Sequence, residues 1–252
     1  MKISIITATY NSSATIARCL ASVNEQSHID IEHIIIDGAS KDNTLEIINS
    51  SPNRVRKIIS EPDNGIYDAL NKGIKLATGD AIGFLHSDDT LGSPTTLENI
   101  AKLFKTKQKG NVTPDGVHGN LLFTDKQDAV VRTWYGKPFE RKNVKYGWMP
   151  SHPTLFLKRE VYEKLGGFDT SFRIAGDYNF MLKVMLDEEI SLAFLPEIIT
   201  RMRVGGASTG NSKSLIHKSK KDIRALRNNG FRFPYVVVSI KMLRKLPQLL
   251  KK

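Results

Sequence analysis

Short apolar runs alternate with segments of helical period through the first hundred residues. Residues 2–8 read as a β-branched strand, broken by Thr9-Tyr10-Asn11-Ser12. Ile16, Leu20 and Val23 then recur at helical spacing. Ile34-Ile35-Ile36 predicts a second buried strand closed by Asp37-Gly38, and Leu45, Ile47 and Ile48 predict a helix over 42–49. A third strand over 55–59 ends at Ser60-Glu61-Pro62-Asp63-Asn64-Gly65. A helix over about 66–77 turns Ala69, Leu70 and Ile74 inward. The fourth strand lies in Ala81-Ile82-Gly83-Phe84-Leu85, which runs into His86-Ser87-Asp88-Asp89. Strands and helices in strict alternation predict an α/β domain with a parallel sheet, right-handed crossovers and helices on both faces.

The pattern changes after a helix over 97–104 and a polar connection over 105–114. Residues 116–124 and 129–135 alternate and predict a hairpin or mixed-sheet strands. Trp148-Met149-Pro150-Ser151-His152-Pro153 forms a stiff aromatic stretch. Strands are expected at 154–157 and 192–199, with a short helix at 161–165 and another on Phe180, Met181, Val184 and Met185. The glycine-rich run 205–210 could order over a ligand. Two helical patterns close the chain, one over 214–227 and one after Pro234. In the second, Val236, Ile240, Leu243 and Leu250 share one face, and Lys241, Arg244, Lys245, Lys251 and Lys252 lie off it, with Pro247 kinking the end.

Charge separates the tail from the rest. The net charge of +11 equals that of residues 211–252, where 12 Lys and Arg face one acid, Asp222. Residues 1–210 are neutral. The expected division is an α/β domain over 1–210 and a basic helical tail over 211–252. Such a tail suits an anionic membrane surface, the alternative being a helix packed on the domain with a solvated basic side. The neutral body lacks aromatic–basic interleaving and argues against nucleic acid as partner. Cys19 is the only cysteine and sits in an apolar helical pattern, as a buried hydrophobe would. No disulfide, signal peptide or membrane span is expected, so a cytoplasmic setting is the simpler expectation, with a peripheral place on the inner membrane face open to the tail.

Four polar clusters follow the four strands: Thr9-Tyr10-Asn11, Asp37, Asp63-Asn64 and Asp88-Asp89. In a parallel sheet all four share one rim, where ligands bind. No glycine-rich phosphate loop follows the first strand. Adjacent carboxylates suit a cation bridging diphosphate oxygens, whereas a helix start capped by Asp89 or Ser93 is the plain alternative.

Several stretches resemble family 2 glycosyltransferases of the GT-A fold, of the type that builds bacterial surface polysaccharides. They are Ile5-Ile6-Thr7-Ala8-Thr9-Tyr10-Asn11, Ile36-Asp37-Gly38-Ala39-Ser40-Lys41-Asp42, Glu61 to Gly73, Gly83 to Asp89, Gly166-Gly167-Phe168-Asp169 and Gly176-Asp177-Tyr178. The resemblance implies a nucleotide-sugar donor, a UDP-sugar first with GDP and dTDP open, and Mg²⁺ or Mn²⁺. It also implies that residues 1–210 form a glycosyltransferase domain with a donor half at about 1–110 and an acceptor half at about 111–210, a glycan or lipid-linked glycan acceptor, and inversion at the anomeric carbon. It places Thr7, Thr9 and Asp37 on the nucleoside, and Asp63, Asn64, Asp68 and Lys72 in a second donor cluster. Asp68 and Lys72 are also spaced as a plain helix-surface ion pair. Asp88 and Asp89 match the carboxylates near ribose and metal, either being the main ligand. His86 stands where relatives carry a carboxylate and is expected at the ribose or donor sugar, or as structural. Asp177 matches the catalytic base, with an N-cap as its alternative. Trp148 and His152 are expected beside the acceptor, His152 alternatively as a packed histidine. His217 could reach the diphosphate. A sugar-1-phosphate nucleotidyltransferase and a nucleic-acid binder are the rival functions.

Overall fold

The computed structural model describes residues 1–108, 110–205 and 212–244, the side chains of 212–218 excepted. The first half follows the apolar pattern. Strands β1 (Ile3–Thr9), β2 (Ile31–Asp37), β3 (Val55–Ser60) and β4 (Ala81–Phe84) alternate with helices α1 (Ile16–Asn24), α2 (Thr44–Ser50) and α3 (Ile66–Leu76). They pair in parallel in the order β3-β2-β1-β4. Successive residues of β1 serve two cores. Ile3 and Ile5 pack with Ile16, Leu20 and Val23 of α1, and Ile6 packs with Ala69 and Leu70 of α3. Cys19 is fully buried in the first of these, which pushes its thiol up to about 12.

The second half extends the same sheet with mixed pairing. A two-residue strand, β5 (Thr90–Leu91), precedes α4 (Thr96–Lys105), β6 (Gly116–Thr124) and β7 (Val130–Trp134). Strand β8 (Phe156–Lys158), helices α5 (Arg159–Leu165) and α6 (Gly176–Leu186), and β9 (Leu192–Arg203) follow. The order continues β4-β8-β6-β9-β5, with β7 hairpinned onto β6. Strand β8 runs antiparallel between β4 and β6, and β6 and β9 are parallel. The expected strand at 154–157 begins later, because His152–Thr154 forms a 3₁₀ turn. The last strand is longer than its apolar run, because Thr200 to Arg203 pair with β6, and Thr200 and Arg201 also with the two residues of β5.

Helices α7 (Ser212–Asn228) and α8 (Pro234–Leu243) complete the described chain. Ala225, Leu226, Val237 and Val238 join the core that holds α6, so the tail shares the interior of the domain. One expectation is corrected here. Lys241 is not on a solvated basic side; it is buried, pairs with Asp222 at 2.9 Å and lies 3.3 Å from the centre of the Tyr178 ring. The run 206–210, Pro247, Leu250, Lys245, Lys251, Lys252 and the His217 side chain lie outside the described residues.

Candidate active site

The ends of β1, β2 and β3 are stitched by local bonds. Asp37 is fully buried and accepts from the Ser40 backbone N–H (2.9 Å), the Ser40 hydroxyl and the Ser60 hydroxyl (2.7 Å). Its oxygens, expected on the nucleoside, are engaged within the protein. Thr7 is also fully buried, its hydroxyl 3.0 Å from His33 Nε2, and faces the α1 core rather than the rim. The Thr9 hydroxyl is buried with no hydrogen bond among the described residues. Tyr10 stands 59% exposed on this rim beside Gly38, whose missing side chain leaves room for the Asp63 carboxylate.

The expected second donor cluster is a self-bonded turn before α3. The Asp63 carboxylate accepts the Gly65 N–H at 2.8 Å, and the Asp68 carboxylate accepts the Asn64 N–H at 3.1 Å. Lys72 lies 2.7 Å from Glu61 and 3.7 Å from Asp68. The hydrogen bond to Glu61 is the main cause of its raised pKa. The spacing of Asp68 and Lys72 therefore does produce an ion pair.

Past β4 the two carboxylates part company. Asp88 lines a cavity of about 180 Å³ with Arg18, Thr90, Thr124, Asp128 and Arg201. Asp89 is 2% exposed, and its Oδ1 accepts the Arg203 backbone N–H at 3.1 Å. Burial, then the neighbouring Asp88 charge, pushes its carboxyl well above the usual range. Neither Asp89 nor Ser93 caps α4, whose N-cap is Thr95. No basic side chain forms an ion pair with Asp88 or Asp89 among the described residues. Asp88 is the accessible hard oxygen donor for Mg²⁺ or Mn²⁺; among the described residues no group of three or more His, Cys, Asp or Glu could hold a metal by itself, and Arg18 and Arg201 share the cavity, so diphosphate oxygens and water would have to complete the shell.

The expected acceptor side converges on Asp177. It lies in the first turn of α6 but makes no cap, the N-cap being Ala175 in a left-handed conformation (φ 66°). Tyr67 OH donates to its Oδ1 at 3.0 Å, and His152 Nδ1 lies 3.2 Å from Oδ2. Gly176 makes this approach feasible, since a Cβ there would lie 2.8 Å from the Tyr67 ring. Burial first, then Asp177, raises the Tyr67 pKa, so the phenol remains a donor through the neutral range. The His86 and His152 rings are 5.9 Å apart. Burial, then the His152 charge, pushes His86 down to about 4, and both Asp88 and Asp177 act on it in the opposite sense. His86 is thus within electrostatic reach of both acidic centres. Trp148 packs 5.9 Å from both Phe139 and the buried His118.

The structure therefore brings His86, His152 and Asp177 together beyond β4, and leaves Thr7 in the core. Tyr67 was missed from sequence; its position on α3, one residue before Asp68, gave no sign of a partner 110 residues away.

Residues 4–166 match glycosyl transferase family 2. The chain belongs to that family. A PGL/p-HBAD biosynthesis glycosyltransferase of Mycobacterium bovis is 26% identical over 85% of this chain and 80% of its own. A hyaluronan synthase of Pasteurella multocida is 32% identical over 86% of this chain but only 22% of its own. Among solved structures, S. aureus TarS in complex with UDP-GlcNAc superposes with a TM-score of 0.70 at 17% identity, over 98% of this chain and 73% of that one. A mannosyltransferase of Pyrobaculum calidifontis in complex with GDP-Man and Mn²⁺ gives 0.63 at 19% identity, over 98% and 75%. The fold is GT-A, and this family 2 protein is a glycosyltransferase. The nucleotidyltransferase alternative is thereby set aside.

Proposed function

We propose that this family 2 enzyme transfers a sugar, with inversion, from a nucleoside-diphosphate sugar to a hydroxyl of a glycan or lipid-linked glycan. The carrying observation is Asp177: a part-exposed carboxylate held by Tyr67 and His152 and within electrostatic reach of His86. The complexes of TarS with UDP and UDP-GlcNAc, and of the archaeal enzyme with GDP-Man and Mn²⁺, support a nucleotide-sugar donor and a divalent cation. A UDP-sugar is the first expectation.

The rim at Thr9 and Tyr10 receives the nucleoside, the exposed Tyr10 ring offering a face to the base. Asp37 acts there by fixing Ser40 and Ser60. Asp63, Asn64, Asp68 and Lys72 shape the adjoining edge. Asp88, with Asp89 behind it, would hold Mg²⁺ or Mn²⁺, which when bound offsets the charge on the diphosphate leaving group. His86 borders the donor sugar, and Trp148 and His152 border the acceptor. Asp177 takes the proton of the acceptor hydroxyl while that oxygen bonds to the anomeric carbon and the carbon–diphosphate bond breaks. Attack opposite the leaving group inverts the centre. The basic tail places the enzyme at an anionic membrane surface; no described helix is long and apolar enough to cross one.

Asp177→Asn tests the reading. It is expected to keep donor binding, followed by the donor's thermal shift, and to lower transfer by about 10²–10⁴-fold. Full turnover in that variant would remove Asp177 from the chemistry.

A further inference from the structure

We infer that the outward face of α8 is an interfacial anchor that seats the enzyme on an anionic lipid bilayer. The inference deepens the membrane reading of the tail and rests on it for the occupant. Helix α8 divides cleanly by spacing. Pro234, Val237, Val238 and Lys241 are buried against the domain. On the opposite side Tyr235 (61%), Val236 (56%), Met242 (40%) and Leu243 (63%) are exposed, and Phe233 (63%) extends the patch at the helix start. Five large apolar residues in one stripe are more than the scattered exposure of an ordinary surface.

Cations are built into the patch. The Arg227 guanidinium lies 5.5 Å from the Tyr235 ring centre and donates to its hydroxyl at 3.0 Å. Arg232 lies 5.3 Å from the Phe233 ring centre. Residues 211–252 contain one acid, Asp222, and it is buried against Lys241. The face therefore offers aromatic and aliphatic surface rimmed by guanidinium groups, with no carboxylate from its own segment. That chemistry matches the headgroup and upper acyl region of an anionic leaflet. A second copy of the chain would instead bring like charge to the same face.

The anchor is also placed to matter for transfer. Lys241, on the inner side of α8, rests on Tyr178, the neighbour of Asp177 in α6. Helix α8 also packs on the 3₁₀ turn Arg141–Tyr146, which leads into Trp148. A bilayer held by the outer face of α8 thus has a fixed relation to the acceptor side of the site. An acceptor carried on a lipid would approach from that side.

Vesicle co-sedimentation tests this with the full chain. Binding is expected to phosphatidylglycerol-containing vesicles, to weaken with salt, and to be much lower on pure phosphatidylcholine. Removing the two cations in Arg227→Gln/Arg232→Gln should lower partitioning by about 25-fold, about fivefold for each. Val236→Asp/Leu243→Asp should abolish binding while leaving the melting temperature and the release of nucleoside diphosphate from donor in solution unchanged. No vesicle binding, equal binding to uncharged vesicles, or wild-type binding by either variant would overturn the anchor. So would a dimer that Val236→Asp/Leu243→Asp disperses, since the face would then belong to a second copy. Vesicle binding without any turnover of sugar nucleotides would refute the transferase reading and still support the anchor.

Discussion

The proposed donor and acceptor halves hold their acidic residues in different ways. In the donor half the rim carboxylates that follow β2 and β3 are bound mainly by residues close in sequence or at the end of an adjoining strand, Asp89 with its Arg203 partner being the exception. Asp37 accepts from Ser40 and Ser60, Asp42 from Thr44, and Asp63 from Gly65. In the acceptor half, Asp177 depends on Tyr67 from α3 and His152 from a 3₁₀ turn. Local turn chemistry sets the first arrangement as soon as the strands pair. Tertiary packing sets the second. The proposed nucleotide rim should therefore tolerate remote changes, while the proposed catalytic carboxylate should respond to substitutions that never touch a substrate.

The sharpest test of that contrast is Gly176→Ala. The added Cβ would lie 2.8 Å from the Tyr67 ring, so the ring or the start of α6 must move. Displacing a catalytic group by about an ångström costs on the order of 10²-fold. The expected result is a kcat lower by about that factor with the donor's thermal shift intact. A kcat within a few-fold of wild type would show that Asp177 is not held as the geometry implies. Tyr67→Phe is the milder version. It deletes one hydrogen bond to an ionised carboxylate and keeps the ring, so a loss of about tenfold in kcat with little change in donor KM is expected.

Next comes the carboxylate pair, where one partner faces the cavity and the other the interior. Asp89 has a raised pKa, so its ionisation opposes folding, and the loss grows as pH rises through the unfolded carboxyl range toward the folded value. Asp89→Asn keeps an acceptor for the Arg203 N–H and removes that charge. It should raise the melting temperature at neutral pH by a few degrees, about 2–4 °C per kcal/mol at this chain size. The stabilisation by Mn²⁺ with a sugar nucleotide should survive in Asp89→Asn and vanish in Asp88→Asn. The reverse outcome would exchange their roles.

The same contrast governs what could be read from the chain alone. The parallel half was legible because its strands are continuous apolar runs punctuated by turn residues and its helices have a clean 3.6-residue period. That continuity also hid the orientation of Thr7: a strand buried on both faces shows no alternation, so nothing marked Thr7 as facing the α1 core. In the second half, β5 has two residues and exists only because β9 pairs with it. No local pattern could announce it. The position of Asp177 was carried by a motif, but its partners were not, because hydrogen bonds between Tyr67, His152 and Asp177 arise from packing. Lys241 misled for a related reason. A lysine in a basic tail reads as solvated, and only the buried Asp222 and the Tyr178 ring explain its inward turn.

The smallest expected effect compares one buried histidine from each half. Burial pushes both His33 and His118 down to about 4 from an ordinary value of 6.5. The folded state keeps each ring neutral while the unfolded chain takes up a proton. Their contribution is therefore complete above about pH 6.5 and is lost as the pH falls toward 4. Their surroundings differ. His33 is hydrogen-bonded to Thr7, whereas both His118 nitrogens lack a partner among the described residues and the ring lies against Trp148 and Phe194. His33→Leu should therefore lower the melting temperature already at pH 7.5, because it strands the buried Thr7 hydroxyl at about 1–3 kcal/mol. His118→Leu should change little at pH 7.5 and should lessen the drop between pH 7.5 and pH 5. Melting curves of both variants at the two pH values decide it. An unchanged acid drop in His118→Leu would mean that this ring is protonated in the folded state or hydrated within it, and the two halves would then not differ in the way argued.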